Sequence, residues 1–353
     1  MNEREAGLHG RRESARRGGL CLLLAVVSAA VAFATACDSR SDDDATSTPA
    51  DGGATLSLAV LDDPPHRAAL YAIDQRIATS DDVEVSVSYL AQSALDEAVA
   101  SKQYDVVEAA PLAVPRQLER GLDLLVLSAG QRDRDGTLLV VDEGSSLEEP
   151  AHLRGATVAV ASLLGVPTLG LRYLLQQRYD LPAGLGGGGV TLTEAPPESM
   201  PSLLRDGEID AALVTQQTAY RLEDDPAFRV LSRVGDELRA LTGGPVLLSL
   251  LVTYPEVARA DGAALRALSA LLQQSVTYLD ANAGDVIDAV ASEQGGDTGY
   301  PRWWRDRHDL PLGDLSSGVQ RQLLAAWQAG LALGDIAAVP ALADVVFVPG
   351  AAE

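Results

Sequence analysis

The chain has little cysteine, little aromatic surface and almost no lysine. Its 353 residues include two cysteines, Cys21 and Cys37, 4% aromatic residues and a single lysine, Lys102. Two cysteines are too few for a disulfide scaffold, an iron–sulfur cluster or a multi-cysteine zinc site. The formal net charge of −23 leaves no basic face for a nucleic acid. The four histidines show no metal-ligand spacing, so we expect no metal, no cofactor and no nucleic-acid partner.

Apolar residues are plentiful. They make up 47% of the chain, which is ample for a packed core and argues against general disorder. At roughly 100–200 residues per domain, the length predicts two or three structural units.

The N-terminal segment has the pattern of an export signal. Four arginines between positions 11 and 17 precede an apolar run over residues 20–34. That run is shorter than the roughly 20 residues that a spanning helix needs, and it suits a signal peptide. It ends in Ala-Thr-Ala-Cys at residues 34–37, which resembles the lipobox of bacterial lipoproteins, although Ala34 stands where leucine is more common. The resemblance implies a signal peptide over residues 1–36 and a lipid anchor on Cys37. An ordinary secretory signal with an incidental cysteine is the alternative.

Residues 37–54 are small, polar and acidic, and we expect a disordered tether there. Strands and helices then alternate. We predict strands over residues 55–61, 83–90, 105–109 and 122–128, with helices over 68–78 and 93–101 and a helix opened by Pro111. Ser93 is the predicted N-cap of the second helix. This alternation predicts parallel βαβ units and an α/β fold.

A second strand–helix series follows. We predict strands over residues 136–141, 157–161, 190–194, 209–214 and 228–232, and helices over 168–178 and 199–205. One longer apolar strand is expected over residues 245–253, and the remainder is predicted to be mostly helical. Gly207 is expected to end a helix in the left-handed conformation. Asp210 is expected to bond backbone amides as a structural residue.

Two segments carry a family resemblance. Residues 152–160, HLRGATVAV, and residues 200–212, MPSLLRDGEIDAA, resemble matching segments of bacterial ABC-transporter solute-binding proteins of the sulfonate, nitrate, taurine and thiamine-precursor branch. The resemblance covers about residues 55–350. It implies an α/β, two-lobed type II periplasmic-binding-protein fold, in which each lobe is a mostly parallel sheet flanked by helices. Lobe one would comprise residues 55–135 plus 245–350, lobe two residues 136–244, and Gly136, Gly243 and Gly244 would suit a hinge.

In open α/β sheets, ligands bind beyond the carboxyl ends of the parallel strands. Among the strand-end loops, we expect the one over residues 162–168 above all to contact the ligand, because it joins a strand to the N-terminus of a helix. His66 is expected at the surface of a helix start, with ligand contact as the alternative. Tyr300, Trp303 and Trp304 are expected in lobe packing, with a stacking platform as the alternative. The strand-end loops supply the predicted ligand-binding residues: Asp63, Gln92, Ser93, Glu108, Gln131, Ser162, Thr168 and Gln216.

The glycine-rich segment over residues 184–189 satisfies G-x-G-x-x-G, but it precedes a strand and follows a helix. A dinucleotide site needs the opposite order, so we interpret the segment as a loop. No serine lies in a G-x-S-x-G elbow. The acidic pairs lie in predicted turns, where carboxylates are solvated and are not adjusted for acid–base catalysis.

The resemblance therefore implies an extracytoplasmic lipoprotein, anchored to the cell membrane, that captures a small polar molecule between two lobes for an ABC permease and makes or breaks no bond. We expect a monomer. An enzyme of the same fold, related to chorismate dehydratases or pyrimidine synthases, is one alternative, although the cysteine-rich motif of those synthases is absent. A ligand-sensing lipoprotein is another. Only Arg67 and Arg132 could meet an anion at the strand ends, and the glutamines suit a planar polar ligand better.

Overall fold

The computed structural model describes residues 53–183 and 189–348. The predicted signal peptide, Cys37 and nearly all of the tether lie outside these residues, as do residues 184–188 of the glycine-rich segment. Within the described ranges, none of the helices combines the length and the apolar character needed to cross a membrane.

Short strands and helices alternate through the first two thirds of the described chain. The strands are β1 Ala54–Leu61, β2 Val83–Leu90, β3 Val106–Ala109, β4 Leu125–Ala129, β5 Arg132–Asp133, β6 Leu138–Asp142, β7 Thr157–Val160, β8 Thr191–Glu194, β9 Ala211–Val214, β10 Phe228–Arg233, β11 Val246–Leu247, β12 Leu250–Thr253 and β13 His308–Asp309.

The helices cover the sheets and dominate the C-terminal third. They are α1 Pro64–Asp74, α2 Gln92–Ser101, α3 Ala113–Leu118, α4 Val166–Tyr179, α5 Met200–Arg205, α6 Gln216–Glu223, α7 Val234–Thr242, α8 Pro255–Ala260, α9 Gly262–Ala281, α10 Ala283–Gln294, α11 Gly299–Arg307, α12 Ser317–Ala332 and α13 Leu342–Val345, with a 3₁₀ turn over Pro150–Leu153.

Two five-stranded sheets share one topology. The first sheet has the order β2-β1-β3-β12-β4 and the second β8-β7-β9-β6-β10. In each sheet the fourth strand runs antiparallel to both neighbours, while β1, β2 and β3, and likewise β7, β8 and β9, are parallel. The antiparallel strands are β6 and β12. Each is the first strand that the chain forms after it crosses from one sheet to the other. The fold is therefore α/β with two lobes, each built on a mostly parallel sheet, as expected.

A third, small sheet lies where the chain passes between the lobes. It has the order β11-β5-β13, and both neighbours of β5 are antiparallel to it. Strand β5 leads out of the first sheet toward β6, and β11 leads back toward β12. The exact lobe boundaries at residues 135/136 and 244/245 stay a prediction.

Three buried clusters form the core of the part of the chain that the structure describes. One lies under the first sheet, with Val107 and Trp327, and another under the second, with Val158 and Leu174. The largest contains residues of both sheets, so apolar packing is continuous from one lobe to the other.

Several predicted boundaries were wrong for local reasons. Helix α1 begins at Pro64, because proline fits the first turn of a helix, and it ends at Asp74, just before Arg76 takes φ 55°. Ala91, not Ser93, is the N-cap of α2, because β2 continues to Leu90 and leaves one linking residue.

The apolar strand predicted over residues 245–253 is two strands. It is interrupted because the amides of Leu248 and Ser249 turn to donate to the Gln131 carbonyl, at 2.8 and 3.2 Å. Gly207 has φ +69° after α5, as predicted. The Asp210 carboxylate accepts from the Thr157 amide at 2.7 Å, which fits its predicted structural role.

Candidate functional site

Two carboxylates and a histidine meet at the carboxyl ends of β1 and β3. Asp63 caps α1 and accepts from the backbone amide of His66 at 2.9 Å. The His66 ring lies 2.6 Å from Asp63 Oδ1 through Nδ1 and 3.1 Å from Glu108 Oε1 through Nε2. His66 is fully buried. Each ring nitrogen therefore faces a carboxylate oxygen, which requires that both nitrogens carry a proton.

The charge of this cluster follows from that geometry. Burial opposes protonation of His66, but the carboxylates of Asp63 and Glu108 outweigh it and hold the pKa of His66 well above its usual value. The prediction that His66 lies on the surface was wrong. The residue was expected at an exposed helix start, but its ring is buried because it contacts the carboxylates of both Asp63 and Glu108.

Both carboxylate oxygens of Glu108 accept hydrogen bonds from other residues of the protein. Oε2 accepts from the Leu61 amide at 2.9 Å, and Oε1 accepts from the Ser249 hydroxyl at 2.5 Å. Burial raises the pKa of Glu108, but His66 and these hydrogen bonds lower it further, so the net shift is downward. Glu108 therefore connects β1, α1 and the turn before β12.

The bonds continue from Ser249 across to the second lobe. The backbone amide of Gln131 donates to Ser249 Oγ at 2.7 Å. Gln216, the first residue of α6, approaches Gln131 Oε1 with its Nε2 at 3.5 Å and accepts from the Tyr300 hydroxyl at 2.6 Å. Gln131 is 4% exposed, and its Nε2 has no hydrogen-bond partner among the residues that the structure describes. A buried amide donor without a partner is costly, and it marks this point as one where another polar group would be stabilising.

Gln216 has an unusual backbone. Its φ is +54°, a left-handed conformation that residues with a Cβ seldom adopt. Strain of this kind clusters at functional sites. Tyr300 beside it has a raised pKa, first because of burial and second because of the negative charge of Asp63. Tyr300 therefore connects the glutamine pair with the acidic cluster electrostatically.

We call this connected set the cleft network: Asp63, His66, Glu108, Ser249, Gln131, Gln216 and Tyr300. The sequence predicted four of its members, because each lies near the end of a predicted strand or in the loop after it. It missed His66, Ser249 and Tyr300. Ser249 was hidden within an apolar strand, and Tyr300 beside two tryptophans resembled packing. A signal for His66 existed in its position three residues after Asp63, the spacing of an N-cap contact.

The other four predicted residues lie apart from the network. Gln92 and Ser93 are exposed at the start of α2, where Gln92 contacts Asp96 at 3.3 Å. Ser162 is exposed, and its carbonyl accepts from the buried Thr168 hydroxyl at 2.6 Å. Their role in ligand binding stays a prediction.

Both candidate anion-binding arginines are already paired. Arg67 Nη2 lies 2.8 Å from Asp62, and the guanidinium of Arg132 bonds both oxygens of Asp309. Helix α1 begins with Pro64 and Pro65, which have no amide hydrogen, and the next amide belongs to the Asp63 cap. The usual anion site at a helix N-terminus is therefore missing from α1.

A cavity of about 220 Å³ lies between α6 and the start of α1 and α11, bordered by Pro64, Gln217, Tyr220, Asp297 and Tyr300 among others. It opens beside the Gln216–Tyr300 contact. Within the described residues, no group of three or more His, Cys, Asp or Glu side chains is placed to hold a metal ion.

Comparison with known proteins reveals the fold. No protein-family model matches this chain, and no curated protein sequence does. Among solved structures, the chain is similar to the periplasmic aliphatic sulphonate binding protein of Escherichia coli, with 14% identity, a TM-score of 0.65, and coverage of 84% of this chain and 98% of that one.

Two further structures agree. A ligand binding component of an ABC-type import system from Staphylococcus aureus has 12% identity and a TM-score of 0.62, with coverage of 83% and 96%. A Candida albicans protein with the generic periplasmic binding protein fold has 12% identity and a TM-score of 0.58, with coverage of 81% and 92%. The chain has the periplasmic-binding-protein fold.

Proposed function

We propose that the protein is the extracytoplasmic solute-binding component of an ABC importer. It captures a small polar molecule between its lobes and delivers it to permease subunits. The observation that supports this most is the cleft network, which joins the carboxyl ends of both sheets through Gln131, Gln216 and Tyr300. Ligands bind at such strand ends in open α/β sheets.

The network favours an uncharged polar ligand over a sulfonate or nitrate. The amides of Gln131 and Gln216 offer both donors and acceptors, as a planar ligand with a mixed edge requires. Arg67 and Arg132 are neutralised by their own carboxylates, and Asp63 and Glu108 together exceed the single charge of His66. An anion beside Asp63 would meet net negative charge.

The acid–histidine cluster does not favour catalysis. A general base must accept a proton from a substrate. Both nitrogens of His66 face carboxylates, and the ring is fully buried. This arrangement fits a binding protein better than an enzyme of the same fold.

The N-terminal sequence is the basis for a proposal about where the protein lies in the cell. We propose that Cys37 carries the lipid that anchors a monomer to the membrane, beside its permease. The acidic stretch after Cys37 would then serve as a tether between the membrane and the lobes.

A thermal-shift screen of the full chain against small metabolites tests the proposal. Compounds would include free pyrimidines, carboxamides and flavins, with taurine, ethanesulfonate and nitrate as anionic comparisons. Ligand at a hundred times its Kd stabilises the native state by about 2.7 kcal/mol, a rise in Tm of a few degrees at this size. We expect at least one uncharged compound to give that rise. Stabilisation by the anions alone would reject the ligand class, and stabilisation by nothing would reject the binding role.

A further inference from the structure

We propose that Glu223 and helix α11 form a clasp that keeps the two lobes closed through protein contacts alone. The clasp goes beyond the proposed transport role, because it would hold the two lobes together whether or not a ligand is bound. Closure in this fold is otherwise expected to depend on the ligand, which adds contacts to both lobes.

Glu223 lies at the C-terminal end of α6, on the second lobe, and is 8% exposed. Its carboxylate accepts from the Trp303 indole Nε1, from Arg307 Nη2 at 2.7 Å and from Arg233 Nη2 at 2.5 Å. Burial raises the pKa of Glu223, but these donors lower it further, so the side chain is a carboxylate. Two of its three donors come from α11.

Helix α11 belongs with the first lobe. It packs against α1, the helix that follows β1. Arg305 pairs with Asp280 of α9 at 2.8 Å, and Arg302 pairs with Asp288 of α10 at 2.9 Å. The bonds from α11 to Glu223 therefore cross from one lobe to the other.

Aromatic packing surrounds these bonds. The rings of Tyr220, on α6, and Trp303 lie 5.9 Å apart, and Trp303 stacks on Tyr300 at 6.3 Å. Tyr300 and Trp303 are 5% and 9% exposed. Both residues belong to the buried cluster that continues through both lobes. The Glu223 carboxylate is thus largely screened from water, which strengthens the hydrogen bonds that it accepts, although the Arg307 and Arg233 side chains are 22% and 39% exposed.

A second contact ties the lobes elsewhere. Arg172 of α4 places Nη1 2.7 Å from Asp335, just after α12, and both side chains are nearly buried at 2% and 6% exposed. Every atom in the two contacts belongs to the protein. The arrangement of the lobes in this structure therefore has its own stabilising interactions, and wider separation of the lobes would break the Glu223 contacts with α11.

Distance measurements between spin labels test the clasp. In the full chain, Cys21 and Cys37 are replaced by serine, and labels are placed at Glu97→Cys on α2 and Glu198→Cys before α5. Both positions are exposed, and each lies in a different lobe: Glu97 on the helix after β2, and Glu198 in the loop after β8. Glu223→Gln keeps the size of the side chain and removes its charge.

Without added ligand, we expect the otherwise unaltered chain to show one short distance. Glu223→Gln should add a longer distance, with the open population raised at least about tenfold. Glu237→Gln is the matched control, because Glu237 bonds Tyr179, Arg178 and Ser232, all of the second lobe. Its distances should not change.

Either of two results would overturn the proposal. The Glu223→Gln distances could remain short, or the chain with Glu223 intact could already be as open as the variant. If Glu223→Gln fails to fold, Trp303→Phe removes only the indole donor and keeps an aromatic ring, and it should open the lobes to a smaller extent. Unchanged distances in that variant would also reject the clasp.

Discussion

At the scale of single residues, the buried ring of His66 explains how the acidic side chains of the cleft network are held in place. The His66 ring is fully buried, and its two nitrogens lie beside the carboxylates of Asp63, in the loop after β1, and Glu108, in β3. An imidazolium held this way fixes the loop before α1 against the end of β3. It therefore sets the position of Asp63, whose negative charge is, after burial, the second cause of the raised pKa of Tyr300.

Replacing His66 should reveal this charge through its pH dependence. At pH 6 we expect His66→Gln to lower the free energy of unfolding by about 3–5 kcal/mol, since Glu108 loses its buried cationic partner. The pKa of folded His66 is raised above 6.5, so its contribution is complete below that pH and is lost as pH rises through the folded pKa. Urea unfolding of both proteins between pH 5.5 and 9 measures the difference.

The control for this series is His152→Gln, at a side chain that is 47% exposed. We expect it to change stability by no more than about 0.5 kcal/mol. A His66→Gln deficit that stays constant across the pH range would show that the ring acts through packing and not through its charge.

The members of the cleft network that could be predicted from the sequence lie near a strand end or in the loop after it. Asp63, Glu108, Gln131 and Gln216 could be predicted because strand ends in an α/β fold meet at one edge. Ser249 and Tyr300 could not, since their places depend on a strand break and on the packing of a C-terminal helix against α6. These are tertiary contacts with no local signal.

At the scale of elements, the small sheet of β11, β5 and β13 controls how the lobes join. Asp133 in β5 accepts from the amides of Gly136 and Thr137 at 2.7 and 3.2 Å. His308 in β13 lies beside Asp133 at 3.4 Å, and its ring stacks on Trp304 at 5.0 Å. Gly136, one of the three glycines expected to suit a hinge, is therefore packed against a buried ring.

Gly136→Ala should be destabilising. A Cβ there would overlap Cε1 of His308 and lie 2.6 Å from its Nε2. We expect a loss of about 1–3 kcal/mol, typical of an overpacked site. Gly284→Ala, in α10 with no atom within 4 Å of the added carbon, should instead gain about 0.4–1 kcal/mol.

Urea unfolding of the two glycine variants beside the parent chain makes the comparison. Equal stability of Gly136→Ala and the parent would show that the small sheet rearranges at little cost to accept the added Cβ, which would contradict its close packing.

The order of the elements was largely predictable and their ends were not. The strand over residues 83–90 was placed correctly, because alternation over eight residues is a strong signal. The start of α1 and the break before β12 were misjudged. Both depend on what the segment contacts, namely the cap formed by Asp63 and the Gln131 carbonyl.

At the scale of the whole molecule, the two sheets have the same strand order and the same antiparallel fourth strand. The predicted two-lobed α/β class is confirmed by this topology and by the similar solved structures. The identity of the ligand could not be predicted, because it depends on side chains from both lobes that come together only in the folded protein.

The proposed anchor makes a separate prediction. In cells expressing the full chain, the protein should sediment with membranes, and Cys37→Ala should release it from them, because the acyl chains supply about 0.8 kcal/mol per buried methylene. Immunoblots of the membrane and soluble fractions measure the distribution. Cys21→Ala is the control and should stay with the membranes. Equal sedimentation of Cys37→Ala and the parent would contradict a lipid on this residue.

The central claim is that a small polar ligand binds between the lobes at the cleft network. It is tested most directly by calorimetric titration of the best compound from the metabolite screen into the parent chain, Gln216→Ala and Gln320→Ala. Gln320 bonds the Leu315 carbonyl at 3.1 Å on α12 and is not part of the network. We predict a Kd near micromolar for the parent and Gln320→Ala, and a Kd about 5- to 100-fold weaker for Gln216→Ala. Binding of Gln216→Ala as tight as that of the parent would contradict the account.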